Sequence, residues 1–295
     1  MIKAISLRCF SDSLSWQQCI KKAKYYNYQG IEINFDGDKN LFINCEFKIL
    51  KEIKRTIDKN NIKVASVYSR EQWITPISSK DKEKRKKGKE VLKRLIEIAE
   101  FLEAKTVLTI PGVVDNSYLS SEVEIIPYNE VYERAQEIIS ELAILAEKKG
   151  IILAIENVPN KFLLSPLEMK NFIEEIGSKS VGFHFDVANC LYNQGIPEQW
   201  IRILNDKIKV IHLKDFKKNI GNLNGFVNIF EGDINWYEFC KALAEIEYNG
   251  PLISEVLPPF KFYSEVLIES VSKAIDFLID TIEKLKHLTK IKNNV

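Results

Sequence analysis

No stretch of this sequence is long and apolar enough to cross a bilayer. Charged residues interrupt every hydrophobic run well short of the ~20 residues a spanning helix needs. The first residues, Met1-Ile2-Lys3-Ala4-Ile5-Ser6, lack the apolar segment and small-residue cleavage site of a secretory signal, and a cytoplasmic location is expected. Cysteine is scarce. Cys9, Cys19, Cys45, Cys190 and Cys240 are odd in number, scattered, and never spaced C-x-x-C, which excludes a disulfide framework and a thiolate zinc site. Cys190, beside a candidate ligand, reads as a small buried residue. Net charge is nearly absent as well: 42 Lys plus Arg against 41 Asp plus Glu leave +1, too weak a field to hold nucleic acid or an anionic membrane. The basic run Lys82–Lys89 is broken by Glu83 and Gly88 and reads as a solvated helix face.

What is present is an apolar fraction of 45% with 28% charged residues, the balance of a globular chain with a sizeable core. Short β-branched or aliphatic runs suited to strands occur at Lys3–Leu7, Gly30–Asn34, Lys63–Tyr68, Thr106–Ile110, Ile151–Glu156, Val181–Asp186, Lys209–Lys214 and Leu252–Val256. Helical patterns alternate with them near 15–26, 46–60, 82–103, 129–149, 165–176, 196–205, 235–247 and 263–286. Ser13 or Ser15, Ser165-Pro166 and Asn235 supply start signals, and Gly150 and Gly177 stop signals. Strands alternating with helices imply parallel pairing, and eight of each close a (β/α)8 TIM barrel, an α/β fold built as a single domain over residues 1–288 with a polar tail at 289–295. A doubly wound open sheet would place a Gly-rich phosphate turn after the first strand, and Arg8-Cys9-Phe10-Ser11 is not one.

Loop lengths orient the barrel. Helix-to-strand turns such as Asn60-Asn61, Glu103-Ala104 and Lys149-Gly150 are short. Strand-to-helix segments such as Ser69–Asp81, Pro111–Tyr128 and Asp215–Ile234 are long, so the functional loops gather at the C-terminal ends of the strands. Glu156, Asp186, His212 and Glu255 lie at or close to such ends on the fifth to eighth strands, which are neighbours in a closed barrel. Three carboxylates and an imidazole form a hard O/N donor set for one divalent ion, Mn²⁺, Co²⁺, Mg²⁺ or Zn²⁺. Without a cation, three crowded carboxylates would repel one another.

Several motifs in order resemble the xylose-isomerase-like barrel superfamily, in particular its sugar (phosphate) isomerases and epimerases, which include ketose 3-epimerases. The motifs are Gly30-Ile31-Glu32-Ile33 on the second strand, Ile155-Glu156-Asn157 on the fifth, and Gly182-Phe183-His184-Phe185-Asp186 on the sixth. They continue with Ile211-His212-Leu213-Lys214-Asp215 on the seventh, Glu231-Gly232-Asp233-Ile234-Asn235-Trp236 after it, and Gly250-Pro251-Leu252-Ile253-Ser254-Glu255 on the eighth. The resemblance implies that Glu156 and Glu255 both bind the metal and exchange protons with a small sugar or sugar phosphate next to its carbonyl, through an enediolate. One departure is Asn189, where family members often carry a substrate-contacting His. An amide still hydrogen-bonds a hydroxyl but is no acid or base at neutral pH.

Around this set, Asn157, Asn160, Asn189 and Lys214 are candidate substrate contacts, and Trp73, Trp236 and Phe10 candidates for an apolar wall. His184 shares the strand face of Asp186, whereas His287 is expected at the surface. An inosose-type dehydratase and a hydroxypyruvate-type isomerase begin with the same proton abstraction and are the nearest alternatives; a metal-free binding barrel is a third. The superfamily's abasic-site endonucleases need extra histidines for a zinc cluster, and this chain has three in all, none before Phe183. No nucleic-acid or membrane partner is expected, and a homo-oligomer is allowed.

Overall fold

The computed structural model describes residues 1–115, 117, 124–257 and 264–293. Strands β1 (Ile2–Ser6), β2 (Gly30–Asn34), β3 (Lys63–Tyr68), β4 (Thr106–Thr109), β5 (Ile152–Glu156), β6 (Val181–Asp186) and β7 (Ile208–Leu213) pair in parallel. A last strand, Pro251–Ser254, joins β7 to β1 and closes the barrel. It is labelled β10, because a two-stranded antiparallel hairpin, β8 (Asp215–Phe216) and β9 (Phe226–Val227), rises from the loop after β7.

The principal helices are α1 (Trp16–Tyr25), α2 (Phe47–Asn60), α4 (Lys82–Phe101), α5 (Tyr128–Lys149), α6 (Pro166–Ile176), α8 (Pro197–Leu204), α9 (Trp236–Glu245) and α10 (Ser264–Asn293). Their ends follow local chemistry. Ser15 and Gln18 form a reciprocal capping box on α1, Ser165 caps α6 with Pro166 in its first turn, and Gly150 and Gly177 end α5 and α6 in left-handed conformations. Helix α10 continues to Asn293, into the stretch expected to be a tail. Position 263, where that helix was expected to start, and positions 294 and 295 lie outside the described residues, as do 116 and 118–123 of the long loop after β4. Two short helices were not expected, α3 (Glu71–Ile74) and α7 (Val187–Tyr192), both on strand-to-helix segments.

The main core lies between the barrel wall and the helices, with Ile31, Val107, Leu153, Phe183 and Ile211 from the strands packed against residues such as Leu92, Ile139 and Ile275. Inside the barrel a second layer, Ala4, Ala65, Val210 and Ile253, fills the lower part with small and branched side chains. Strand side chains alternate between faces. Two residues further along β1, β7 and β10, the interior positions are therefore Ser6, His212 and Glu255, the last lying one residue past its strand. The same alternation puts Ala154 below Glu156 on β5, and Gly182 and His184 below Asp186 on β6. The interior thus changes from apolar to ionisable on approaching the C-terminal mouth.

Candidate active site

Register brings the four candidate ligands together. Glu156 on β5 stands beside His184 on β6, Asp186 beside His212 on β7, and His212 beside Ile253 on β10. One oxygen from each of Glu156, Asp186 and Glu255 and one nitrogen of His212 lie within 4.8 Å of one another. His212 Nδ1 is 3.3 Å from Glu156 Oε1, 3.5 Å from Glu255 Oε2 and 3.8 Å from Asp186 Oδ2, yet makes no well-directed hydrogen bond. A buried imidazole nitrogen facing three carboxylate oxygens without a hydrogen-bond partner fits a divalent cation, which takes lone pairs from all four.

Asp186, Glu255 and His212 each have partners outside the cluster. Asn157 donates from Nδ2 to the Asp186 carbonyl and accepts from the Asp186 backbone N–H, both at 2.8 Å. Asp186 Oδ1 accepts from the Asn189 backbone N–H at 2.8 Å and so caps α7. Arg8 Nη1 donates to Glu255 Oε1 at 3.0 Å. Lys214 donates to Asp186 Oδ2 and, at 2.6 Å, to Glu255 Oε2. On its far side, the Nε2 of His212 lies 3.0 Å from Glu32 Oε2, and its ring meets that of His184 edge-on, centroids 4.1 Å apart.

These surroundings separate the two glutamates. Burial lifts the Glu156 carboxyl to about 7, opposed by His212 and aided by Glu255 and Asp186. Burial acts on Glu255 in the same sense, but Lys214, His212 and Arg8 overcome it and hold that carboxyl well below the ordinary range. For His212, burial opposes protonation, and Glu32, Glu255 and Glu156 outweigh it. His184, buried and beside His212, is pushed well down.

Above the cluster opens a cavity of about 960 Å³ whose lining includes Glu156, Glu255, Lys214, Asn189, Arg8 and Trp73. Tyr68, Leu108 and Val158, in one apolar cluster with Trp73 against it, form one wall, and Phe226 of the β8–β9 hairpin stands on another. Asp186 and His212 are fully buried below it, so the two glutamates are the candidate ligands that a substrate can touch.

Three expected contacts belong elsewhere. Asn157 spends its amide on Asp186. Asn160, fully buried, donates to the Gly112 carbonyl at 2.7 Å and accepts from the Phe162 N–H at 3.0 Å, which folds the loop after β5. Trp236 is not on the cavity lining: its Nε1 donates to Asp215 Oδ2 at 2.8 Å and its ring packs on Phe230 and Phe239. Phe10 is buried in the main core and borders a smaller neighbouring cavity, Cys190 is buried, and His287 is exposed. Sequence reasoning did not single out Arg8, Tyr68 or Glu32. Arg8 follows Ala4 and Ser6 at period two, and Glu32 is the one charged residue in a strand whose five residues are all buried, so each carried a usable signal.

The chain is 26% identical over 240 residues to an uncharacterized protein of Methanocaldococcus jannaschii, covering 80% of this chain and 77% of that one. It is 25% identical over 250 residues to a putative L-ribulose-5-phosphate 3-epimerase of Haemophilus influenzae, covering 83% and 84%. The solved structure of an L-ribulose 3-epimerase superposes with a TM-score of 0.78 at 18% identity, covering 98% of this chain and 97% of that one, a likeness of fold. Residues 20–280 match the xylose isomerase-like TIM barrel family, and with its closed eight-stranded barrel the chain belongs to that family.

Proposed function

We propose that the protein is a divalent-metal-dependent epimerase or isomerase of a ketose or ketose phosphate. The observation that carries this reading is the convergence of four donor atoms within 4.8 Å at the floor of a cavity large enough for a sugar. The names of the Haemophilus relative and of the similar solved structure favour epimerisation at carbon 3.

Glu156, Asp186, His212 and Glu255 hold the cation. When bound, it supplies Lewis-acid stabilisation of the negative charge that develops on a substrate's carbonyl and neighbouring hydroxyl oxygens. Strands β5 and β10 flank β6 and β7 in the barrel order, so Glu156 and Glu255 stand on either side of Asp186 and His212. One removes the proton from the carbon beside the carbonyl, and the other returns a proton to the opposite face, which inverts that centre. Delivery to the adjacent carbon instead gives isomerisation. Lys214 has three donors and uses two on Asp186 and Glu255, leaving one for a substrate oxygen. Tyr68, Trp73, Leu108 and Val158 exclude water from the C–H face.

The test is a panel of ketoses, aldoses and their phosphates with added Mn²⁺, Co²⁺ or Mg²⁺, run in D₂O. Deuterium is expected to enter the product at the carbon next to the carbonyl. Glu156→Gln and Glu255→Gln, at matched metal occupancy, are expected to lower turnover by about 10²–10⁴ and substrate binding by much less. Full turnover in metal-loaded Glu156→Gln, or a product without label at that carbon, overturns the two-glutamate mechanism.

A further inference from the structure

Two groups of side chains in the barrel have the composition of a metal site, and they share one residue. The first is Glu156, Asp186, His212 and Glu255; the second is Glu32, His184 and His212, all fully buried beneath it. The shared imidazole decides between them. A neutral imidazole has one nitrogen with a lone pair and one with a proton, so it can offer a lone pair to one group alone. On the Nδ1 side stand three carboxylates, two of them bordering the cavity. On the Nε2 side stands one carboxylate, Glu32, at hydrogen-bond distance.

We infer that Glu32 is the positioning residue of the metal site: by accepting the Nε2–H of His212 it fixes the tautomer that turns the Nδ1 lone pair toward Glu156, Asp186 and Glu255. This rests on the metal reading above and assigns the lower group an orienting role instead of a second ion. Several constraints make Glu32 suited to the task. It lies on β2, separated from the β7 of His212 by β1 and β10 in the closed strand order, so its contact with His212 spans the interior instead of following a strand neighbour. Its carboxylate is fully buried, and its Oε1 has no hydrogen-bond partner, which leaves the His212 N–H as the principal compensation for burying that charge. His184 completes the clamp. Its ring meets the His212 ring edge-on at an interplanar angle of 77°, a contact that opposes the ring flip that would put carbon where Nδ1 and Nε2 stand.

The chain's three histidines make the test direct. In ¹⁵N-histidine-labelled, Zn²⁺-loaded protein, His212 is expected to carry its proton on Nε2, with slow solvent exchange. Glu32→Gln, which keeps the side-chain shape but can present its NH₂ to the ring, and Glu32→Ala, which removes the acceptor, are expected to exchange that proton faster. Both are expected to bind Zn²⁺ or Mn²⁺ more weakly by about 10–100-fold in calorimetric titration, the cost of losing such an outer partner. A merely structural role for Glu32 would lower melting temperature and leave the metal affinity of the folded protein unchanged. Unchanged affinity in either folded variant, or a wild-type His212 protonated on Nδ1, overturns the assignment. If Glu32→Ala does not fold, Glu32→Gln and the wild-type spectrum still decide it. Wild-type protein that binds no divalent ion overturns the metal reading and this assignment with it, an outcome distinct from metal binding that ignores Glu32.

Discussion

Burial lifts the Asp36 carboxyl to about 6, although the Arg70 backbone N–H donates to its Oδ1 at 2.5 Å and the Arg8 and Arg70 charges favour ionisation. Its Oδ2 is buried without a partner. The folded value lies above the ordinary value near 4, so the native state holds this proton more tightly than the unfolded chain. Stability contributed by the protonated form is complete below about pH 4 and is lost as the pH rises through about 6. Asp36→Asn keeps the Oδ1 acceptor and removes the titration. Urea unfolding between pH 4 and 7 is expected to show a shallower decline for the variant than for wild type, and parallel curves would mean that Asp36 is not a source of the decline. The same distinction between a residue's type and its surroundings governs what was legible in the sequence. Ionisable residues at adjacent strand ends were enough to gather Glu156, Asp186, His212 and Glu255, because period and strand order fix where those side chains go. Residue type could not say that Asn157 and Asn160 give their amides to the backbone, since an amide suits a sugar hydroxyl and a peptide group equally. Glu32 was visible as a charge in a buried strand, but its partner lies 180 residues away.

At the scale of elements, the eight barrel strands and the long helices could be read because each spans enough residues for a period to show. Helices α3 and α7 and the β8–β9 hairpin are too short for that, and all lie on the mouth side. The motif Glu231-Gly232-Asp233-Ile234-Asn235-Trp236 finds its physical reason here. Asp215 opens β8 and accepts from the backbone N–H groups of Phe216 at 2.8 Å and Ile234 at 3.2 Å as well as from the Trp236 indole. Gly232 lies against that carboxylate: a Cβ there would collide with Asp215 Oδ1 and sit 2.6 Å from the Phe216 nitrogen. Because the obstruction includes backbone, a side chain cannot be absorbed by a rotamer change. Gly232→Ala is therefore expected to destabilise the protein by about 1–3 kcal/mol and to displace the hairpin that carries Phe226 to the cavity. Denaturant unfolding measures the first effect. Hydrogen exchange at Lys217, whose N–H donates to the Gly225 carbonyl across the hairpin, reports the second. Wild-type protection there would show that the loop accommodates the methyl.

For the whole molecule, near-neutral charge and the scarcity of histidine argue against an abasic-site nuclease. Among the described residues the two groups able to hold a metal share His212. Purified protein is expected to leave an abasic duplex uncut in the presence of Zn²⁺, and metal-dependent cleavage would overturn the choice of an epimerase-like reaction. The four candidate ligands come from β5, β6, β7 and the end of β10, so one ion would tie together half of the barrel strands that the chain brings together over about a hundred residues. An unfolded chain cannot present such a set, and binding to the native state alone adds RT ln(1 + [L]/Kd), about 2.7 kcal/mol at a hundredfold excess over Kd. Melting temperature is therefore expected to rise by several degrees on titrating Mn²⁺, Co²⁺, Mg²⁺ or Zn²⁺ into metal-free protein. Asp186→Asn tests the site with its backbone supports kept: the amide oxygen can still cap α7 by accepting from the Asn189 N–H, and the backbone contacts with Asn157 are untouched. What it loses is the negative charge toward the cation and toward the buried Lys214 ammonium, which keeps Glu255 as its partner. The starting melting temperature of this variant is expected to fall, and its metal-dependent rise should vanish or require far higher concentrations. A wild-type chain whose melting ignores all four ions would sink the metal site, and an Asp186→Asn variant that still responds with wild-type sensitivity would remove Asp186 from it.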